Sequence, residues 1–348
     1  MHAMQLLGGL PPRTFLRRYW QKRPLLVRGA LPGFAGVLDR RALGALAVRD
    51  DVESRIVKRR RGRWDTAHGP FSGEITLRKN ATLLVSGVNL QLPAADALLR
   101  RFAFVPQARL DDLMVSYATV GGGVGPHVDS YDVFLLQGPG KRRWRVWLSN
   151  KKMKEYVVGP GDLLYLPPGL KHDGVALEPC YTYSIGFRAP RGAELGAAFL
   201  DWLHERGLPD AGYRDPGLAP ARHAGRIPAG MILFVKNFLR RIRWSGSDAS
   251  AFLGEYLSAP KPHVVFRADR GRRPLARSRV RLDPKTQLLY SGNRFFMNGE
   301  SFAVHKRSSI PLKNLADKRS GPGTALLGLA PLIAEWHRAG YLHLEKPR

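Results

Sequence analysis

Gly121-Gly-Gly-Val-Gly-Pro-His127-Val-Asp129, answered 45 residues beyond its histidine by Pro167-Pro-Gly-Leu-Lys-His172-Asp-Gly, is the stretch on which the reading of this chain turns. A His-x-Asp pair with a distant histidine supplies two imidazoles and one carboxylate. That set holds non-haem Fe(II) on one face and leaves the opposite face open for substrate and O2. Residues i and i+2 of a strand point to the same side, so His127 and Asp129 can reach one ion without special backbone. His-x-Asp alone is weak, because a lone match is more often a solvated turn pair. The chain carries such a decoy in His343-Leu-Glu345, which has no histidine downstream. The set 127/129/172 gains from its surroundings. A glycine loop that lets backbone approach a ligand closely precedes His127. Before His172 runs Gly161-Asp-Leu-Leu-Tyr-Leu, a strand stopped by two prolines that cannot continue a ladder.

Outward from this stretch, Leu113 to Arg188 is almost all strand. Met114–Thr119, Ser130–Leu136, Arg142–Leu148, Leu163–Leu166 and Tyr181–Phe187 alternate with Gly/Pro turns. That spacing predicts a double-stranded β-helix of the jelly-roll or cupin kind, whose mouth commonly houses a metal. Upstream, Ala81–Ser86 reads as a buried strand and Ala94–Phe104 as a short amphipathic helix. After Ala189-Pro190 the pattern turns helical, with Leu195, Phe199, Trp202 and Leu203, then Ile232, Val235, Leu239 and Ile242. The segment Ala229–Phe238 is more apolar than a surface helix needs, which points to partner packing. Past Pro260-Lys-Pro262 come short strands at Val280–Leu282, Leu288–Tyr290 and Phe295–Phe302. A helix over Gly328–Ala339 and a strand over Tyr341–Leu344 follow, an order that fits a winged helix. The fold class is α+β.

The bulk numbers bound the function. With 348 residues, 44% of them hydrophobic, the chain can build two or three real cores. A single cysteine, Cys180, excludes an intramolecular disulfide and a thiolate metal cluster, and makes the cytoplasm the expected home. No run of about 18 apolar residues predicts a membrane span, and Pro11-Pro12 with three arginines argues against a signal peptide. The net charge of +28 is extreme. It reads either as solubility with an arginine-rich bias or as contact with nucleic acid or another anionic assembly. Basic residues knot at Lys58–Arg61, Lys141–Arg143, Arg240–Arg243 and Arg267–Arg281.

A co-substrate can be argued from Arg142–Leu148. Arg142, Trp144, Val146 and Leu148 share one strand face, and Lys141, Arg143, Arg145 and Trp147 the other, solvated one. The first face is apolar with one guanidinium, and a buried arginine demands an anion. A free dicarboxylate can supply it, chelating iron as a 2-oxo acid at one end and pairing bidentately with Arg142 at the other. The competing partner is a protein carboxylate such as Asp162. On the neighbouring face of Met114, Ser116 and Ala118, Ser116 is the one hydroxyl able to help bind that carboxylate, unless it simply bonds to backbone.

The chain resembles the bacterial ribosomal oxygenases, JmjC-type Fe(II)/2-oxoglutarate hydroxylases of the cupin superfamily. The resemblance rests on Phe15–Pro24, Asp51–Val57, His68–Phe71, Asp111–Ser116, Gly121–Trp144, Gly161–Pro168 and Tyr183–Pro190. It implies iron ligands at His127, Asp129 and His172, and 2-oxoglutarate bound by Arg142 and Ser116 with O2 as second co-substrate. It further implies a catalytic domain over 1–190, a helical dimerisation region over 191–260 forming a homodimer, and a winged-helix domain over 261–348. The implied reaction is 3-hydroxylation of an arginine side chain in a large-subunit ribosomal protein, the sixteenth by bacterial naming. Tyr131 and Asp132, just past the metal pair, are candidates to orient the substrate or else ordinary strand residues. Family members have a longer connection where this chain has the short, lysine-rich Ser149–Pro160, which bears on the substrate entrance. A basic ribosomal protein would be repelled by a charge of +28, so either nearby rRNA or acidic residues at the cleft must offset it. Two other functions fit the residues. One is a cupin metal or ligand sensor whose winged helix binds DNA through Arg267–Arg281; the other is a JmjC hydroxylase of a different protein.

Overall fold

The computed structural model describes all residues except Met1, Asp269, Arg270, Arg272, Pro347 and Arg348, so part of the basic run Arg267–Arg281 lies outside the described residues. The strands up to residue 187 are β1 (Leu25–Val27), β2 (Ser54–Arg60), β3 (Arg63–His68), β4 (Ala81–Val85), β5 (Leu110–Ala118) and β6 (His127–Val128). They continue with β7 (Val133–Gln137), β8 (Arg142–Ser149), β9 (Lys152–Val158), β10 (Leu163–Leu166), β11 (Lys171–Ala176) and β12 (Cys180–Phe187). Among the described residues they form two sheets, ordered β1-β10-β7-β12-β5-β4-β2-β3 and β6-β11-β8-β9.

Burial explains why the central strands read as continuous apolar runs. Every residue of β7 is buried, because its two faces serve different cores. Phe134 and Leu136 join the core shared with Phe15, Leu98, Phe102 and Tyr183. Val133 and Leu135 join the core between the sheets, with Trp144, Val146, Tyr156 and Leu164. A strand covered on both sides shows no polar alternation. The alternation survives in β8, where Arg142, Trp144 and Val146 are buried and Arg143, Arg145 and Trp147 are not. The short connection Ser149–Pro160 is itself mostly β9, a hairpin partner of β8 with Arg142 opposite Val158.

An N-terminal segment latches onto the outer face. Helix Pro12–Arg18 brings Phe15 edge-on to Tyr165 with ring centroids 5.0 Å apart, and Trp20 stacks on the same tyrosine at 5.8 Å. Asp132 closes this latch and is fully buried. Its Oδ1 accepts from the Tyr165 hydroxyl at 2.5 Å and its Oδ2 from the Gln21 side-chain amide at 3.0 Å, with the Arg109 guanidinium 3.6 Å away. The substrate contact expected of Asp132 is therefore corrected: its carboxylate is consumed by the core.

Beyond residue 190, helices cover Gly192–Glu205, Ala229–Leu239 and Gly246–Ser258. The last of these was not expected from periodicity. It is announced by a capping box, in which Ser245 Oγ accepts from the Asp248 N–H at 3.3 Å and the Asp248 carboxylate accepts from the Ser245 N–H at 2.8 Å. Strands β13 (Arg279–Leu282), β14 (Leu288–Ser291), β15 (Arg294–Met297), β16 (Glu300–Ala303), β17 (Ser320–Pro322) and β18 (Leu342–Glu345) form two small sheets, ordered β17-β13-β18 and β14-β15-β16. They share a separate core with helices Lys306–Lys318 and Ala330–Arg338 through Val280, Phe295, Leu312, Ile333 and Trp336. The first of these helices also went unexpected, because it is rich in polar residues and holds Pro311 inside it. His343, the decoy, donates from Nε2 to the Asp283 carboxylate at 2.8 Å. No helix among the described residues is long and apolar enough to cross a membrane.

Removing one partner of a buried, hydrogen-bonded charge costs far more than losing a single neutral hydrogen bond. Asp132→Ala is expected to lower the unfolding free energy by about 3 kcal/mol and Tyr165→Phe by about 1 kcal/mol, read from urea melts. An Asp132→Ala loss no greater than that of Tyr165→Phe would return this carboxylate to the candidate substrate contacts.

Candidate metal centre and its cavity

Strand pairing brings the histidines together. His172 on β11 sits directly opposite His127 on β6, and opposite Val146 on β8 on its other side. The two imidazole centroids are 4.2 Å apart. Asp129, just past the end of β6, places one oxygen 3.9 Å from His127 Nε2 and 3.6 Å from His172 Nε2. One ligand atom from each of the three lies within 4.8 Å of the others, and among the described residues no other His, Cys, Asp or Glu group does so.

The tautomers suit a cation. His127 Nδ1 lies 2.9 Å from the Gly125 carbonyl and His172 Nδ1 2.9 Å from the Leu170 carbonyl. A carbonyl only accepts, so each Nδ1 carries the proton and each Nε2 keeps its lone pair turned toward Asp129. Burial pushes the His172 imidazolium down from its ordinary value, which favours the neutral ring that a metal needs. His172 is buried while His127 and Asp129 are half-buried, so the cluster is walled on one side and open on the other.

The glycine loop acts differently from expectation. An added Cβ at Gly123 would lie 2.4 Å from the Gly174 carbonyl oxygen, and one at Gly125 2.7 Å from the Trp64 indole. The close approach is to the barrel's own strands rather than to a ligand. It presses the segment before His127 against β11, which holds the two histidines in register.

A cavity of about 680 Å³ opens over the cluster, reached by His127, Asp129, His172, Arg142, Ser116 and Tyr131. All six expected residues other than Asp132 thus line it, with Arg142 beside Trp144. Arg142 is buried, and its Nε and Nη2 meet no partner. Asp162, the competing carboxylate, binds Arg28 instead, at 2.6 Å. Arg142 lies four positions along β8 from the residue opposite His172, roughly 13 Å of strand. Ser116 Oγ makes only a 3.5 Å contact to the Thr182 carbonyl, leaving its hydroxyl available to a ligand. The cluster is therefore a two-nitrogen, one-oxygen donor set, and the same cavity offers an unanswered guanidinium. These residues fit a divalent cation together with a small dianion.

The cavity also carries residues that were not assigned from sequence: Glu53, Asp111, Asp112 and Lys261. Lys261 pairs with Asp111 at 3.0 Å. Burial raises the Asp112 carboxyl from its ordinary value, opposed by the Lys261 charge. Tyr131 is pushed up to about 12, by burial first and by Asp129 second, so its phenol remains a hydrogen-bond donor. The signal for the acids was an adjacent Asp111-Asp112 pair opening a strand in a strongly basic chain, and Glu53 immediately before β2.

A model of the JmjC domain matches residues 97–195. The chain is 41% identical to the ribosomal protein uL16 3-hydroxylase of Escherichia coli strain K12, over 95% of this chain and 97% of that protein. Its fold is similar to the solved structure of YcfD, a ribosomal oxygenase from Escherichia coli, in complex with cobalt and 2-oxoglutarate. That match has a TM-score of 0.81 and 31% identity, covering 97% of this chain and 98% of that one.

Titration of the protein with Co(II), followed by the visible absorption of the bound ion, should reveal one site. His127→Ala and His172→Ala should each weaken it by more than about 100-fold, beyond the usual effect of losing an outer-shell partner. Unchanged affinity in both variants would place the cation elsewhere.

Proposed function

We propose, since the chain belongs to the JmjC-type bacterial ribosomal oxygenases, that it hydroxylates C3 of an arginine side chain in the sixteenth large-subunit ribosomal protein, with Fe(II), 2-oxoglutarate and O2. The observation that carries this reading is the joint presence, in one cavity, of the His-Asp-His donor set and the unpartnered Arg142 guanidinium. His127, Asp129 and His172 would hold the iron. Bound there, it supplies the oxidative chemistry that couples loss of CO2 from the 2-oxo acid to attack on an unactivated C–H bond.

The chain's own residues do the rest. Arg142 answers the far carboxylate of 2-oxoglutarate with a charge-assisted, bidentate pair, and Ser116 donates a further hydrogen bond to it. Trp144, Leu135 and Val133 wall the co-substrate end of the cavity and exclude water. Tyr131 keeps its proton and can donate to substrate backbone or side chain. Glu53 offers an exposed carboxylate in the cavity to an arriving guanidinium, beside the Asp111–Lys261 pair and against the positive field of the whole protein.

The finer organisation follows the same reading. Residues 1–190 form the catalytic domain and 261–348 a winged-helix domain, supported by the separate core around Val280, Leu312 and Trp336. Residues 191–260 form the dimerisation region of a homodimer. What supports this is the apolar helix Ala229–Leu239, none of whose residues is buried and whose Leu233 and Leu239 are 59% and 57% exposed. The protein works in the cytoplasm, where ribosomal proteins are made and assembled, and an rRNA contact offsets repulsion between two basic proteins.

Incubating the ribosomal protein with enzyme, Fe(II), 2-oxoglutarate and O2 should add about 16 Da, one oxygen atom, to a single arginine by mass spectrometry. Succinate should form in step, and His127→Ala should abolish both. Succinate without any mass gain would point to a different protein substrate. Arg142→Ala should raise the apparent KM for 2-oxoglutarate about 30-fold or more, the value of a charge-assisted pair. Leu233→Glu combined with Val235→Glu should turn a dimer into a monomer in sedimentation velocity, leaving the Co(II) site intact; a dimer that persists would move the interface off this helix.

A further inference from the structure

Strands β2 and β3 join through Arg60-Arg61-Gly62-Arg63, where Arg61 and Gly62 both have positive φ, 46° and 82°. Two successive left-handed residues make the turn whose twist suits a tight hairpin. The turn gathers cations. Arg59, Arg60, Arg61 and Arg63 are exposed there, and the chain entering β4 adds exposed Arg78 and Lys79. Lys58, Arg59, Arg60, Arg78 and Lys79, with Thr76, line a cavity of about 470 Å³. Their side chains make no ion pair or hydrogen bond with any described residue; the one contact is the Arg59 guanidinium 5.6 Å from the Trp64 ring. Even Asp65, which faces Lys58 across the hairpin register, does not close a pair with it. Cations held this close repel one another, so the arrangement is at its most stable with an anion in the cradle.

The cradle is physically joined to the catalytic cavity. The same hairpin lines that cavity through Arg55, Val57, Thr66 and His68. Trp64 also packs on Gly125, two residues before His127. A ligand on the basic side of β2–β3 therefore binds the same hairpin whose other residues line the catalytic cavity.

We infer that this cradle binds the phosphodiester backbone of RNA, so that the enzyme meets its ribosomal protein on the RNA that protein packs against. The inference rests on the ribosomal-protein reading for the identity of the polyanion. A basic substrate and an enzyme of net charge +28 repel each other in free solution, and one RNA strand contacting both removes that barrier. RNA fits better than a bilayer, because the cations surround a concavity instead of spreading over a flat face.

The test is fluorescence anisotropy of the full chain with an end-labelled RNA of about twenty nucleotides across a salt series. Arg60→Ala/Arg78→Ala/Lys79→Ala should weaken binding about tenfold or more and make the log–log salt slope shallower by about two. Hydroxylation of the isolated ribosomal protein should be unchanged, which also reports that the variant is folded. Arg60→Glu, a single reversal on the exposed turn, should weaken binding in the same direction. Arg240→Ala/Arg241→Ala/Arg243→Ala, which removes equal charge elsewhere, should bind RNA as the parent does. Equal loss in that control, or no loss in the first variant, overturns the site. Stronger retention of duplex DNA or of phosphatidylserine vesicles, lost in the first variant, overturns RNA as the ligand. Failure of the parent to hydroxylate the ribosomal protein, with RNA binding still lost in the first variant, would sink the substrate assignment and leave the RNA site standing.

Discussion

Two antiparallel registers, β6 on β11 and β11 on β8, carry the rest of this molecule. They set His172 opposite His127 on one side and opposite Val146 on the other. The side-chain period of a strand is two, so a slip of one residue would turn His172 out of the cavity and move Arg142 to the solvated face of β8. The register is pinned where a side chain cannot intrude. At Gly174 an added Cβ would meet Trp144 at 2.5 Å, and at Gly123 it would meet the Gly174 carbonyl at 2.4 Å. Trp144 can thus lie against β11, with its ring centroid 5.9 Å from that of His172. Small residues at these points give rigid placement of the histidines rather than loop freedom.

The barrel was legible because its strands are covered on both faces or one, and each case leaves a readable pattern. Leu163–Leu166, apolar throughout and buried throughout, keeps the predicted bounds. Arg142–Ser149 shows the alternation that placed Arg142, Trp144 and Val146 inward. Illegible elements had other causes. Helix Gly246–Ser258 buries only Ala251, Phe252 and Ser258 and so lacks a strong apolar stripe. Strand β9 is Lys152-Met-Lys-Glu-Tyr-Val-Val158, whose lysines face solvent and disguise an edge strand as a loop.

Within the site, His127, Asp129 and His172 were readable because coordination demands particular atoms at particular spacing. The burial of Arg142 was readable because the alternation along β8 puts it on the same face as Trp144 and Val146. Asp132 shows the limit of that logic. Proximity in sequence to the metal pair says nothing of which way a side chain turns, and its partners Gln21 and Arg109 lie 111 residues back and 23 residues back along the chain. The cavity acids failed for the converse reason. Glu53, just before β2, and the Asp111-Asp112 pair on β5 are brought together only through β4, a long-range pairing that local pattern cannot carry.

The unpartnered guanidinium of Arg142 gives the cavity its direction. Most buried charges in proteins are paired, because leaving one alone costs several kcal/mol. Arg142 Nε and Nη2 meet no partner among the described residues, with Asp162 turned to Arg28. A group that removes such a penalty binds the folded state and not the unfolded one, so its binding free energy adds directly to stability. The dianion that fits the cavity therefore does more than supply a reactant. Paired with Arg142, it would neutralise a buried charge that no described residue compensates.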